Sequence, residues 1–455
     1  MNKISKYILM VPLMLGIMSC EQLSLDGLRP INSIPVSAGI GDAKTANALL
    51  NGVYDGLQDG TLIFDGYLGL AQVYSDEAIF TGTFPTRFEF ATLNVSPSNG
   101  TSAAVFSQFY DVINRANNVV DLIPGVEDQA YTEEDKTSAI AQARFIRGMC
   151  YFYLTSYYGD VPLIIDPTRS VAPDVINVPN NSQAEIYAQI IADLEFAEAN
   201  LGEGDAFTAT SQAATGFLAR VYLYQEDWAN ASSKATQALG AGFDLTGFAY
   251  LSDLIYGIGF TSTDGNVLNF WYSPSECGGR HDVEPSAKFL ASYEAGDLRK
   301  DLSVLEVGQP MTACGLADSA NVPFVVKYDD FASGIAGTGT DPVYVLRHAE
   351  LVLIAAEAEA RQGNYGDAST WLNQVRTRAG LADVTLDASN FLDLILQERL
   401  IELSFEGPHR FLDLRRTSRA EQEIDGYRPC NDIWPIPQRE IDRNPNLIQN
   451  SCCNC

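Results

Sequence analysis

The run from Arg347 to Gly380 constrains the fold of this chain more than any other stretch. It reads Arg347-His-Ala-Glu-Leu-Val-Leu-Ile-Ala-Ala-Glu-Ala-Glu-Ala-Arg361, turns at Gln362-Gly-Asn-Tyr365, and resumes as Asp367-Ala-Ser-Thr-Trp-Leu-Asn-Gln-Val-Arg-Thr-Arg-Ala-Gly380. Leu351, Ile354, Ala355 and Ala358 recur at helical spacing, with Glu350, Glu357 and Arg361 on other faces. Two helices joined by so tight a turn pack on each other, and Ala358 and Ala368 beside the turn let their backbones approach closely.

The pattern recurs. Ser211 to Tyr224, the turn Gln225-Glu-Asp-Trp228, and Ala229 to Leu239 repeat it, with Ala231 in the place of Ala368 and Trp228 in that of Tyr365. Ser107 to Ile123 and Glu133 to Tyr158 form a longer pair, the first stopped by Pro124 and Gly125, the second capped by Thr132. Ala46 to Leu57 and Gln183 to Leu201 are further helices. Repeated helical hairpins of this size are tetratricopeptide-like. The expected fold is mainly α: such hairpins form a scaffold over about 42–58, 105–241 and 343–416, and a loop-rich lobe with short strands covers about 59–104 and 242–342. Strand-like runs in the lobe are Val267 to Tyr272 and Val322 to Tyr328. Residues 417–455 read as an extended C-terminal segment of the same single domain, 42–455.

Lys3 and Lys6 precede an apolar run from Tyr7 to Met18 that ends at Ser19-Cys20, a secretory signal too short to span a bilayer comfortably. Ile17 and Ser19 before Cys20 resemble a bacterial lipobox, so residues 1–19 are expected to be removed, Cys20 to be acylated, and residues 20–41 to form a lipidated tether. Losing the two lysines takes the formal charge from -29 to about -31, which makes nucleic acid a poor partner and leaves the lipid as the link to a membrane. Of the remaining cysteines, Cys150 sits in an apolar helical run and reads as a buried free thiol. Cys277 and Cys314, both in Gly- and Pro-containing loops, are the expected pair, and Cys452, Cys453 and Cys455 offer a staple back to Cys430. Their spacing fits no zinc finger, and no metal or cofactor is expected.

No histidine pair, nucleophile elbow, phosphate loop or dinucleotide fingerprint stands out. Glu398, Glu402 and Glu406 recur every four residues beside Arg399, Arg410, Arg415 and Arg416, which reads as one helix face laced with ion pairs and not as a pair of glycosidase acids. Aromatics among Gly, Thr and Ser are the more suggestive residues, because sugar rings stack on flat side chains while charged groups fix hydroxyls. Tyr74, Asp76, Phe84, Arg87 and Phe88 in the first irregular segment, and Tyr272, His281 and Tyr328 in the second, are the candidate ligand contacts.

Several blocks in order resemble the SusD/RagB family of outer-membrane nutrient-binding lipoproteins. They are Leu49-Leu-Asn-Gly-Val-Tyr54, Ala143 to Leu154 running into Tyr158-Gly-Asp-Val-Pro-Leu163, the Arg347–Gly380 helix pair, Glu398 to Glu402 with Phe405-Glu-Gly407 and Arg410 to Arg415, and Ile433-Trp-Pro-Ile-Pro437 with Asn444-Pro445 and Gln449-Asn450. The resemblance implies an α-rich fold and a non-catalytic lipoprotein at the outer-membrane surface. It also implies delivery of an oligosaccharide to a SusC-like TonB-dependent transporter. A helical-repeat protein that binds peptides or proteins, as RagB-like relatives do, is the alternative function, and a glycoside hydrolase is a third. Relatives place a Trp shortly before the second helix, where this chain has Phe106 and no Trp before Trp228, so a flat Trp platform is not expected.

Overall fold

The computed structural model describes residues 40–241, 243, 245, 252–328 and 330–450. The signal peptide, Cys20, the tether up to residue 39, and Cys452, Cys453 and Cys455 lie outside the described residues. In chain order the main helices are α1 (Ala43–Leu57), α2 (Pro85–Ala91), α3 (Gly100–Leu122), α4 (Glu133–Tyr158), α5 (Gln183–Asn200), α6 (Ser211–Tyr224) and α7 (Trp228–Leu239). They continue as α8 (Leu268–Tyr272), α9 (His348–Arg361), α10 (Tyr365–Arg378), α11 (Phe391–Glu402) and α12 (His409–Arg416). From α3 through α4, α5, α6, α7 and α9 to α10, each scaffold helix packs on the next, so the hairpins stand in one row.

Local chemistry explains the boundaries. Asp42, Thr132 and Ser182 each accept the backbone N–H three residues on and donate their own N–H to that residue's side chain, closing capping boxes at the starts of α1, α4 and α5. The two short hairpins turn alike: each needs one left-handed residue, Glu226 at φ 57° and Gly363 at φ 85°. Beyond the turns, Ala231 and Ala368 are fully buried, where a larger side chain would push α7 and α10 off their neighbours.

The helix α9 departs from the simple amphipathic reading. It is enclosed on nearly every side, and Glu350 and Glu357 are 1 % and 0 % exposed. Glu350 is bonded to Arg220 of α6, and Glu357 receives both Arg416 Nη1 and Nη2, at 2.7 and 2.6 Å. The acidic repeat of α11 differs in the same sense. Glu398, Glu402 and Glu406 are buried and their partners come from outside the helix. Glu398 meets Arg299 and Arg376; Glu402 meets Arg299, Arg347 and Arg378; Glu406 meets Arg347 and Lys327. Arg399 turns to Asp413, Arg410 to Asp76 and Arg416 to Glu357, while Arg415 bonds the carbonyls of Ser156 and Asp432. These ion pairs bind the loop lobe to the scaffold.

The lobe is less irregular than its composition suggests. Thr61–Leu68 is a π-helical segment that runs into an α-helical turn, Gly69–Val73, and Leu62 through Val73 are all buried. A segment apolar on every side carries no helical periodicity, which is why it reads as loop. Val267 to Tyr272, expected as strand, contains the helical turn α8, and only Phe324 and Val325 of the second expected strand are paired. The strands are β1 (Ala78–Phe80), β2 (Leu254–Ile258), β3 (Val283–Pro285), β4 (Val304–Leu305), β5 (Phe324–Val325) and β6 (Val343–Arg347), paired antiparallel as β1–β3, β2–β6 and β4–β5. Cys277 and Cys314 are disulfide-bonded, with Cα atoms 5.6 Å apart, beside a small separate cluster of Leu305, Met311, Ala320, Phe324 and Phe331. Cys150 is free and buried, and Cys430 is also disulfide-bonded. The main core extends from Ala46 to Leu447. Within the C-terminal segment, Trp434 is fully buried and stacks on Tyr157 at 4.3 Å, so this part is a core element and not a loose extension.

Candidate functional site

The pairing of β1 with β3 brings the two halves of the lobe together. Ala78, Ile79 and Phe80 face Pro285, Glu284 and Val283, so residues 81–84 leave the strand beside residues 280–282. Thr81 donates its N–H to the Asp282 carbonyl at 3.0 Å. At Gly82 a Cβ would lie 2.4 Å from Asp282 Oδ1, so this close approach requires glycine. On the other side, Arg280 and Asp282 donate their N–H groups to Phe270 and Trp271 of α8, at 2.6 and 2.8 Å. The strand pair, α2 and α8 therefore converge on one surface.

That surface is built from rings and guanidinium groups. Phe84 precedes Pro85 at the start of α2, and Phe84 and Phe88, four residues apart, are 38 % and 56 % exposed. Trp271, partly exposed, stacks on the buried Phe64 at 4.9 Å and lies 6.4 Å from Phe84. The Arg87 guanidinium sits 4.4 Å from the Trp271 ring centre and 4.8 Å from those of Phe84 and Phe64, and Arg280 lies 4.2 Å from that of Phe84. Carboxylates fix both cations. Arg87 bonds Asp65 through Nε and Nη2 at 2.8 and 3.2 Å and Asp282 through Nη1 at 3.1 Å. Arg280 bonds Asp282 through Nε at 2.9 Å and Thr83 through Nη2 at 3.0 Å. Burial raises the Asp65 carboxyl above its ordinary range, with the Arg87 charge opposing it. Rings fixed by cation–π contacts lose little freedom when a ligand lies against the parts left exposed.

Of the residues singled out in the sequence, Phe84, Arg87 and Phe88 come together here. His281 is adjacent: its carbonyl receives Thr81 Oγ1, and its Nε2 lies 3.1 Å from the Pro323 carbonyl and 3.7 Å from Glu284 Oε2. Asp76 belongs to a neighbouring groove of about 390 Å³ that Phe80, Phe88, Lys288 and Glu423 also line. There it pairs with Arg410 and Lys288, which overcome the effect of burial and hold its carboxyl below the usual range. Tyr74, Tyr272 and Tyr328 must be corrected from ligand contacts to core. Their exposures are 2 %, 0 % and 1 %. Tyr74 packs edge-on to Phe411 and Trp434, and Tyr272 stacks on Tyr328, whose hydroxyl donates to the Phe405 carbonyl at 2.8 Å. Trp271 and Arg280 escape the sequence reading. The signal was the run Phe270-Trp271-Tyr272, three adjacent rings that cannot all face one core.

Comparison with known proteins finds relatives over most of the chain. Residues 316–432 match the family model described as the SusD family, and residues 68–223 match one described as starch-binding associating with outer membrane. A SusD-like protein of Bacteroides ovatus is 36 % identical over 376 residues, covering 70 % of this chain and 66 % of that protein. SusD-like protein P2 of Formosa agariphila is 28 % identical over 434 residues, covering 81 % and 84 %. A solved structure titled as a laminarin-binding SusD-like protein superposes with a TM-score of 0.79 at 23 % identity, over 90 % of this chain and all (100 %) of that one. With the row of helical hairpins beneath a loop-rich lobe, these matches show that the chain belongs to the SusD/RagB family.

Proposed function

We propose that the protein captures a glycan on the surface around Phe84 and Trp271 without cleaving it, and hands it to a SusC-like TonB-dependent transporter at the outer membrane. The observation that carries this reading is the pair of partly exposed rings, Phe84 and Trp271, that share Arg87, with Arg280 set against Phe84 as well. A sugar's C–H face fits such a platform, and the guanidinium edges supply donors to hydroxyls. Binding without turnover is supported by the state of the nearby acids. Asp65 and Asp282 are both engaged by arginines, so neither is a spare carboxyl for acid–base work on a glycosidic bond. The laminarin-binding relative supports a carbohydrate as ligand, and the family described as associating with the outer membrane supports the location. Acylation of Cys20 then gives the anchor.

Calorimetric titration of the mature chain against a glycan panel that includes laminarin oligosaccharides, with an oligopeptide control, tests the reading. Binding with no release of reducing ends, weakened by Trp271→Ala or Phe84→Ala, is the expected result. Tight capture of the peptide with no glycan bound would replace it by the peptide-binding alternative, and reducing ends would replace it by hydrolysis. For the anchor and partner, Cys20→Ser should move the protein to the soluble fraction and abolish its co-purification with a TonB-dependent transporter.

A further inference from the structure

The chain carries a formal charge of -29, yet its candidate ligand surface holds two arginines. Their charge is already spent. Arg87 faces two carboxylates, those of Asp65 and Asp282, and Arg280 shares Asp282, whose side chain is 0 % exposed. The set of two cations and two anions sums to zero, and Lys288 in the adjoining groove is paired with Asp76 and Glu423. We infer that the surface selects uncharged sugars and rejects uronate-containing and sulfated glycans, an inference that rests on the glycan-binding reading above.

The physical argument concerns what an anionic ligand would have to displace. A uronate or sulfate gains affinity by pairing with a cation, but here it must compete with Asp282, a fixed carboxylate already within hydrogen-bond distance of both guanidiniums. Displacing Asp282 would leave a buried charge unpaired, which is strongly unfavourable. Adding a third anion beside two carboxylates on a strongly acidic protein is disfavoured as well. A neutral ring meets neither obstacle. It stacks on Phe84 and Trp271, and among the described residues Arg280 Nη1 has no hydrogen-bond partner, which leaves a donor for a hydroxyl without any change in the ion pairs. Asp282 is thus a specificity-determining residue through the charge it cancels, not through contact with the ligand.

The test uses matched hexasaccharides on the mature full-length chain: neutral gluco-, manno-, galacto- and xylo-series against glucuronate, galacturonate, mannuronate and sulfated series, titrated at 50 and 500 mM NaCl. At least one neutral series is expected to bind at least tenfold more tightly than every acidic one, with affinity unchanged by salt. Asp282→Asn should confer binding of a uronate hexasaccharide that weakens as salt rises, and unchanged far-UV circular dichroism would certify that variant. An acidic series binding the wild-type chain as tightly as any neutral one, and losing affinity with salt, would overturn the inference while leaving glycan capture intact. No binding in either series would overturn both. Should the Asp282 variant not fold, the wild-type comparison decides alone.

Discussion

Glu77 gives the sharpest test of how this fold is held together. It is 2 % exposed, and its Oε1 accepts the N–H of Phe405 at 2.5 Å, in a turn where Phe405 adopts a left-handed φ of 59°. The same turn is held by Lys327, which donates to the Ser404 carbonyl at 2.8 Å, and by the Tyr328 hydroxyl. Burial pushes the Glu77 carboxyl up to about 8 from 4.5, against the pull of the Phe405 N–H and the Lys327 charge. Between those two values the folded chain keeps a proton that the unfolded chain has released. Stability therefore falls as pH rises through this window and reaches its floor above about 8. A displacement of 8 minus 4.5 corresponds to a ceiling of ~5 kcal/mol, at 1.36 kcal/mol per unit. Glu77→Gln keeps the acceptor for Phe405 and has nothing to ionise. Urea unfolding followed by tryptophan fluorescence at pH 5, 7 and 9 should show the wild type losing several kcal/mol more than the variant, with the gap opening between pH 5 and 8. Parallel stability curves for the two proteins across that range would refute the reasoning.

Three further outcomes are expected. Replacing Cys277 and Cys314 by alanine reopens a loop of sequence separation 37, with a ceiling near 4 kcal/mol from chain entropy; limited proteolysis should then cut within residues 300–325 and glycan affinity should fall while far-UV circular dichroism is retained. Trp271→Ala should weaken glycan binding about tenfold, ~1.4 kcal/mol, with a melting temperature within a few degrees of wild type, because the ring is partly exposed. Glu357 is raised by burial but drawn down to about 2 by Arg416, Arg399 and Arg361, so its contribution is present above pH 4.5 and is lost as pH falls toward 2. Glu357→Gln should accordingly cost about 3 kcal/mol at pH 7, and chemical denaturation in acid should show the gap to wild type closing over that interval.

The sequence discloses this fold where burial is one-sided and hides it where burial is complete. The hairpins of α6 with α7 and α9 with α10 are legible because alanines recur beside a turn that requires a left-handed residue. Thr61 to Val73 is not, since a helix enclosed by the core on all sides shows no polar face. Glu398 and Glu402 read correctly as ion-paired, but their partners Arg299, Arg347 and Arg378 are not legible because they lie on other segments of the chain. The same holds for the candidate site. Phe84, Arg87 and Phe88 are close in sequence and stand out among polar neighbours, whereas Trp271 joins Arg87 only through the β1–β3 pairing. Tyr74, Tyr272 and Tyr328 mislead for a physical reason: a lobe this large encloses a core of its own, and rings in Gly-rich segments fill it.

The partners that close the core arrive at very different times during synthesis. Tyr74 Oη donates to the Asn431 carbonyl at 3.2 Å, and Asn431 Nδ2 donates to that of Leu93 at 2.7 Å, across separations of 357 and 338 residues. Trp434, whose backbone N–H donates to the Tyr157 carbonyl at 2.6 Å, completes the aromatic cluster of Tyr74, Phe90, Tyr157 and Tyr158. At roughly 5–20 residues per second, Tyr74 waits roughly 20–70 s for its last neighbour. Over that interval Tyr74 lacks the indole that packs on it and on Tyr157. A chain that stops before Trp434 leaves this cluster without its central ring, however well its hairpins have formed.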